Sequence, residues 1–228
     1  VIACPQPMDW PYKPEDCLIA NVYVPDTKET NLPVIVHVHG AAFQIGYGNR
    51  QTGKNLLKMK NVIIVNFNYR LGAYGFLCLG TKDIPGNAGM KDKVTLLRWV
   101  QRNIAYFGGN PNDVTIDGWS SGAASVDLIM ISKMAKGLFH KVIAQSAASS
   151  ASFSVQVDPV QNAKNVAREK PVPEGSPYPA WPPVGAHRAP YMLINSTMEL
   201  HGTFLEKRAD FWNEIYSKHY RHPLPPTY

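Results

Sequence analysis

Val114-Thr115-Ile116-Asp117-Gly118-Trp119-Ser120-Ser121-Gly122-Ala123 is the stretch that decides how this chain is read. A β-branched run ends at a glycine, a serine follows two positions on, and a second glycine stands two beyond it. The pattern G-x-S-x-G between a strand and a helix predicts a sharp turn that lifts the Ser120 hydroxyl clear of a sheet. Gly118 and Gly122 are the residues that would let the strand and helix backbones close tightly around a strained serine. Residues 123–136 are compatible with a helix whose N-terminal dipole faces that serine. Ser120 is therefore a candidate nucleophile, and the competing reading is a Gly/Ser-rich turn without chemistry.

The segments around this turn predict an α/β fold. Residues 33–39, with Val34, Ile35, Val36 and Val38, and residues 62–68, with Val62, Ile63, Ile64 and Val65, are near-continuous apolar runs. Such runs suit strands buried on both faces of a mostly parallel sheet. Residues 18–24 read as a half-buried strand ending at Pro25, and residues 51–60 as a crossover helix. Residues 90–107 form the clearest helix, with Val94, Leu97, Val100 and Ile104 mostly on one face and Gly108-Gly109 as its stop. Residues 142–145 follow as a short strand. This alternation predicts βαβ units with helices on both faces of the sheet.

The composition narrows the classes of function. The 228 residues suffice for one sizeable domain, and the hydrophobic fraction of 45% is ordinary for a globular chain. The net charge is +6, but the lysines and arginines are scattered rather than gathered in a stripe, so nucleic-acid binding is not expected. No apolar stretch approaches the ~18 residues of a membrane span. The opening Val1-Ile2-Ala3-Cys4 has neither an initiator methionine nor a signal-peptide pattern, which predicts a processed or missing start. Of the three cysteines, Cys4 and Cys17 flank a Pro-rich loop that a disulfide could close. Cys78, in an apolar run, reads as a buried free thiol. Asn195-Ser196-Thr197 is a glycosylation sequon, and with that disulfide it tilts the expected location to secreted or extracellular.

From residue 169 to 190 seven prolines forbid a continuous helix or central strand, so the stretch reads as an extended junction. Residues 191–195 then predict a short strand and residues 205–216 a helix with Phe211, Trp212 and Ile215 packed inward. The organisation expected is thus residues 1–168, a junction 169–190, and a closing segment 191–228.

Several blocks together resemble the type-B carboxylesterase/cholinesterase family of the α/β-hydrolase fold. They are Glu15-Asp16-Cys17-Leu18 with Asn21-Val22-Tyr23-Val24-Pro25, and Asn68-Tyr69-Arg70-Leu71-Gly72 with Gly75-Phe76-Leu77. Gly86-Asn87-Ala88-Gly89-Met90-Lys91-Asp92, Phe107-Gly108-Gly109-Asn110-Pro111 and Gly137-Leu138-Phe139-His140 continue the series in the family's order. The flavour is similar to insect carboxylesterases, antennal and juvenile-hormone esterase relatives among them. The resemblance implies a carboxylic ester hydrolase working through an acyl-enzyme on Ser120, with a small-molecule ester as substrate and neither metal nor organic cofactor. It also implies an oxyanion hole in His39-Gly40-Ala41-Ala42-Phe43, where the backbone N–H groups of Ala41, Ala42 and Ser121 would be the donors. Ala41 replaces a usual glycine; should that position need positive φ, its methyl would cost about 1–2 kcal/mol.

One part of the family pattern is missing. The family's chain order is Ser, then Glu, then His, and no segment like its histidine loop occurs here. Trp181-Pro182-Pro183, Tyr191-Met192-Leu193-Ile194-Asn195 and Phe211-Trp212-Asn213-Glu214-Ile215-Tyr216 resemble the family's far end. The chain therefore reads as a truncated hydrolase whose first part joins its last part near Arg168-Glu169. Any replacement base from His187 or His201, with Asp158 or Glu174 as the acid, would be accidental. The alternative to an esterase is a catalytically dead relative that binds ligands or proteins. Oligomeric state and substrate identity stay open at this level.

Overall fold

The β-branched runs become the centre of one sheet because each presents branched side chains to both faces. The computed structural model describes residues 2–6 and 16–169, and the backbone of residues 191–192 and 200–201. The strands are β1 (Ala20–Tyr23), β2 (Leu32–Val38), β3 (Ile63–Phe67), β4 (Gly109–Trp119) and β5 (Lys141–Gln145). They lie in the order β1-β3-β2-β4-β5. β1 is antiparallel to β3, and the other three pairings are parallel, so the sheet is mostly parallel as expected.

The helices are α1 (Lys54–Met59), α2 (Gly72–Phe76), α3 (Ala88–Asn103), α4 (Ser121–Ile131) and α5 (Pro159–Glu169). Period-two alternation sorts the strand residues by face. Val34, Val36, Ile63, Val65, Val114 and Ile116 share one core with Val94, Leu97 and Val100 of α3 and Val126 and Ile129 of α4. Burying a side chain of this size contributes about 1.5–3 kcal/mol. The other face carries Ile64 and Asn66 of β3. Ile64 packs on Gly53 at the start of α1, and the Asn66 amide donates to the Gln51 carbonyl at 2.7 Å. On that face the segment leading into α1 packs against the sheet, and α1 itself buries none of its residues. Among the described residues no helix is long and apolar enough to cross a membrane.

Several boundaries differ from the sequence reading. The helix expected at 123–136 begins earlier, at Ser121, and ends at Ile131. The Ser132 hydroxyl accepts from the Met134 N–H at 3.3 Å and opens a separate 3₁₀ turn, Lys133–Ala135; this local bond competes with helix continuation. β4 begins at Gly109 rather than Val114, because Gly109 pairs with Leu32 across an irregularity in the β2–β4 ladder. Cys78 is free but only half-buried, with its Sγ 3.5 Å from the Pro85 carbonyl; it lies in a loop past α2, not in a core strand. Residue 169 belongs to α5, so the expected junction does not begin there.

Cys4 and Cys17 are disulfide-bonded, closing a loop of separation 13. Such closure contributes about 3 kcal/mol in the chain-entropy model. β5 is the outer strand of the described sheet, and most of its residues are exposed. Residues 191–192 and 200–201 form a short antiparallel pair, β6 (Tyr191–Met192) and β7 (Leu200–His201). The rest of the expected junction, the sequon at Asn195 and the helix at 205–216 lie outside the described residues.

Candidate active site

Ser120 is where β4 stops and α4 starts, and its backbone takes φ 56° and ψ −125°. L-residues avoid that region at a cost of about 1–3 kcal/mol, so neighbouring contacts must hold it. Its N–H donates to the Gln145 carbonyl of β5 at 2.8 Å. The flanking glycines are required by close approach: a methyl on Gly118 would strike the Gly122 carbonyl, and one on Gly122 would strike the Val38 carbonyl of β2. β2, β4 and α4 therefore meet at backbone distance directly beneath Ser120. Trp119, beside it, is half-exposed.

β2 leads into the loop that carries the other predicted residues. Ala41, Ala42 and Phe43 have φ of 79°, 58° and 61°, three consecutive non-glycine residues in the left-handed region. Ala41 does need positive φ, so its methyl carries the penalty expected for that case. The Gln44 N–H donates to the Ala41 carbonyl at 3.1 Å, and the Gly72 N–H to the Phe43 carbonyl at 2.8 Å. The Phe43 N–H donates to the buried Ser121 hydroxyl at 3.3 Å. A methyl on Gly40 would lie 2.5 Å from the Trp119 carbonyl and 3.1 Å from Ser120 Cβ, so this loop sits against the serine turn. Among the described residues, neither the Ala41 nor the Ala42 N–H has a protein acceptor. Ser121 opens α4, where helix geometry leaves the N–H without an intrahelical partner.

The histidines of this region bond other groups through Nδ1, and Nε2 of His37 and of His39 is buried without a partner among the described residues. His39 hydrogen-bonds the Gly40 carbonyl through Nδ1 at 2.9 Å, stacks on Tyr69, and is lowered by burial to a pKa of about 4. His37 Nδ1 meets Asp117 Oδ2 at 2.6 Å on the face opposite the core cluster, and Gln145 donates to the other Asp117 oxygen at 2.7 Å. Burial would raise the Asp117 carboxyl, but the bonds from His37 and Gln145 outweigh it and hold the group below the ordinary carboxylate range. His140 accepts the Val114 N–H at 3.1 Å. Among the described residues no histidine hydrogen-bonds Ser120. Asp158 caps α5 by accepting the Gln161 N–H at 3.0 Å; His187 and Glu174 lie outside the described residues.

Sequence reading missed three features of the site. The His37–Asp117 pair joins residues 80 positions apart through strand register. The Tyr69 hydroxyl donates to the His39 carbonyl at 2.9 Å, behind the 41–43 loop. Lys93, on the face of α3 that points into the protein, is fully buried beside that tyrosine. A lysine placed between the apolar helix positions 90, 94 and 97 was the one signal available. Among the described residues no group of His, Cys, Asp or Glu side chains is arranged to hold a metal. An apolar cleft of about 440 Å³ opens beside the loop, bordered by Ala42, Phe43, Phe76, Met90, Leu128 and Phe153.

Known proteins match this arrangement. The sequence model described as "Carboxylesterase family" matches residues 2–177. Juvenile hormone esterase of Heliothis virescens is 46% identical over 140 residues, covering 58% of this chain and 25% of that protein. Bile salt-activated lipase of Mus musculus is 41% identical over 169 residues, covering 69% and 28%. A solved PNB esterase superposes with a TM-score of 0.68 at 39% identity, covering 74% of this chain and 36% of the other. The chain thus spans about a quarter of the length of these curated relatives.

Proposed function

The chain belongs to the carboxylesterase family, and from that premise we propose that it carries the nucleophile half of a carboxylic ester hydrolase site. One observation carries the reading: Ser120 stands in a strained strand-to-helix turn with the 41–43 loop packed against it. In the proposed reaction Ser120 Oγ bonds to the ester carbonyl carbon as its proton passes to a base. The carbonyl oxygen becomes an oxyanion facing the N–H groups of Ala41, Ala42 and Ser121. Fixed backbone donors at such a point are worth about 3–4 kcal/mol each, by analogy with a side-chain donor in another serine hydrolase. The C–O bond then breaks, the alcohol leaves with the proton, and water releases the acid from the acyl-enzyme. The apolar cleft beside Ala42 and Phe43 suits the uncharged hydrocarbon part of such an ester. The Cys4–Cys17 disulfide and the Asn195 sequon support a secreted, glycosylated protein.

A second reading, a ligand- or protein-binding relative without turnover, is favoured by one observation. No described histidine hydrogen-bonds Ser120. Loss of the base from a serine triad lowers turnover by about 10⁶ in subtilisin. The intact mass of the folded chain after fluorophosphonate treatment, with Ser120→Ala as control, separates the two. A single adduct that the control lacks supports the hydrolase. A folded chain that takes no adduct overturns it in favour of binding.

A further inference from the structure

Three consecutive left-handed residues cannot hold themselves, and Lys93 sits where both ends of their loop are anchored. Its side chain is fully buried on α3. The ammonium lies 3.4 Å from the centroid of the Tyr69 ring and 5.5 Å from those of Phe43 and Phe76. It also meets the Gly89 carbonyl at 3.4 Å and the Met90 sulfur at 3.7 Å. Ring faces, a carbonyl oxygen and a thioether all present partial negative charge, so these surroundings suit a cation although no carboxylate among the described residues contacts it. Asp92, the adjacent acid, is committed to Arg70 by contacts at 2.6 and 2.9 Å. Burial pulls Lys93 well below its ordinary pKa, and Asp92 opposes this.

Two of the three rings are the anchors of the loop. Tyr69 holds its entrance, through the hydroxyl bond to the His39 carbonyl and the stack on the His39 ring. Phe43 is its last left-handed residue, and its ring packs edge-on against Phe76 at 5.2 Å. We propose that Lys93 is a positioning residue for the 41–43 loop, its buried ammonium drawing the Tyr69 and Phe43 rings together and so fixing the backbone donors between them. The inference rests on reading that loop as the oxyanion hole, but its physical core, control of the loop's conformation, does not require turnover.

The test is amide hydrogen exchange of the full chain in wild type, Lys93→Met and Phe76→Leu. Lys93→Met keeps the length of the side chain and removes the charge, so the fold loses a buried cation and global unfolding is expected at the same or a higher temperature. Exchange of the Gln44 N–H, bonded to the Ala41 carbonyl, should nevertheless accelerate about tenfold, while Val65 in β3 does not change. Phe76→Leu removes one wall of the cage without touching the loop backbone; it should accelerate the same amide and add little once Lys93 is Met. Where wild type is labelled by fluorophosphonate, the maximal rate should fall in Lys93→Met with the reagent's affinity unchanged. Gln44 exchange that stays constant, or moves only in step with Val65, overturns the proposal. A wild type that takes no label but shows the Gln44 effect overturns only the hydrolase reading. Should Lys93→Met fail to fold, Lys93→Gln, which also removes the charge and leaves the Phe43–Phe76 contact in place, decides by the same comparison.

Discussion

The Tyr69 hydroxyl donates to the His39 carbonyl at 2.9 Å while the two rings stack 4.3 Å apart, 19° from parallel. One residue of the loop after β3 thereby fixes both the backbone and the side chain of His39, two positions before the 41–43 loop begins. The relation joins a sheet terminus to the place where the proposed chemistry occurs, and several expectations depend on it.

Tyr69→Phe keeps the ring and its stack but strands the His39 carbonyl in the interior. A buried acceptor without its donor costs about 1–3 kcal/mol. Urea unfolding should show the midpoint falling with an unchanged m-value. A midpoint equal to wild type would mean that water replaces the hydroxyl at no cost.

His39 should make the fold sensitive to mild acid. Its pKa in the fold, about 4, lies below the 6.5 of an exposed histidine, so the unfolded chain binds the proton more readily. Stability is therefore full above pH 6.5, declines as pH falls from 6.5 to 4, and the loss is complete below 4. Its size is about 3 kcal/mol, at 1.36 kcal/mol per unit. His39→Phe should flatten the slope of stability against pH in that window. Equal slopes in the two proteins would assign the acid sensitivity to other groups.

Ser120→Gly should separate stability from reactivity. Glycine adopts φ 56°, ψ −125° freely, which relieves about 1–3 kcal/mol of strain, against ~0.4–1 kcal/mol for the looser unfolded chain. The variant should melt at a higher temperature than wild type while taking no fluorophosphonate. A lower melting temperature would show that the serine side chain contributes more to the fold than its backbone costs.

Gly122→Ala should prevent the native fold, because its methyl would enter the space of the Val38 carbonyl in the central strand β2. The Val38 backbone cannot retreat without breaking the β2–β4 ladder. Loss of cooperative thermal unfolding is expected; a folded variant would require α4 to shift away from the sheet.

Reduction of the disulfide should act locally as well as globally. Gln6, between Cys4 and Cys17, exchanges two hydrogen bonds with Gly46, at 2.9 and 3.1 Å, and Gly46 packs on the His39 ring. Cys17→Ser should lower stability by about 3 kcal/mol and speed exchange of the Gly46 N–H beyond the global change. A Gly46 amide that follows only global unfolding would show that Gln6 holds its place without the bridge.

Much of the architecture was legible because its causes are local. Val34 to Val38 and Ile63 to Val65 announce buried strands by their own branching, and the sheet they form is mostly parallel. The serine turn was legible because Gly118 and Gly122 encode a close approach that side chains would forbid. The break of α4 at Ser132 was not read, since a serine at that spacing is compatible with a helix until its hydroxyl finds the Met134 N–H. Cys78 lies shallower than its apolar sequence neighbours imply, because neighbours in sequence need not be neighbours in a core.

The sequence by itself determined the strands of the main sheet, the helices α1, α3 and α4, their order, the family and the serine turn, because periodicity, glycine and β-branching act within a few residues; α2 and α5 were not legible in it. Only the tertiary structure decided which distant groups meet. Strand register brings His37 to Asp117, and the packing of α3 beneath the sheet's loops brings Lys93 to Tyr69 and Phe43. These contacts depend on where whole elements come to rest, and no short window of residues contains that information.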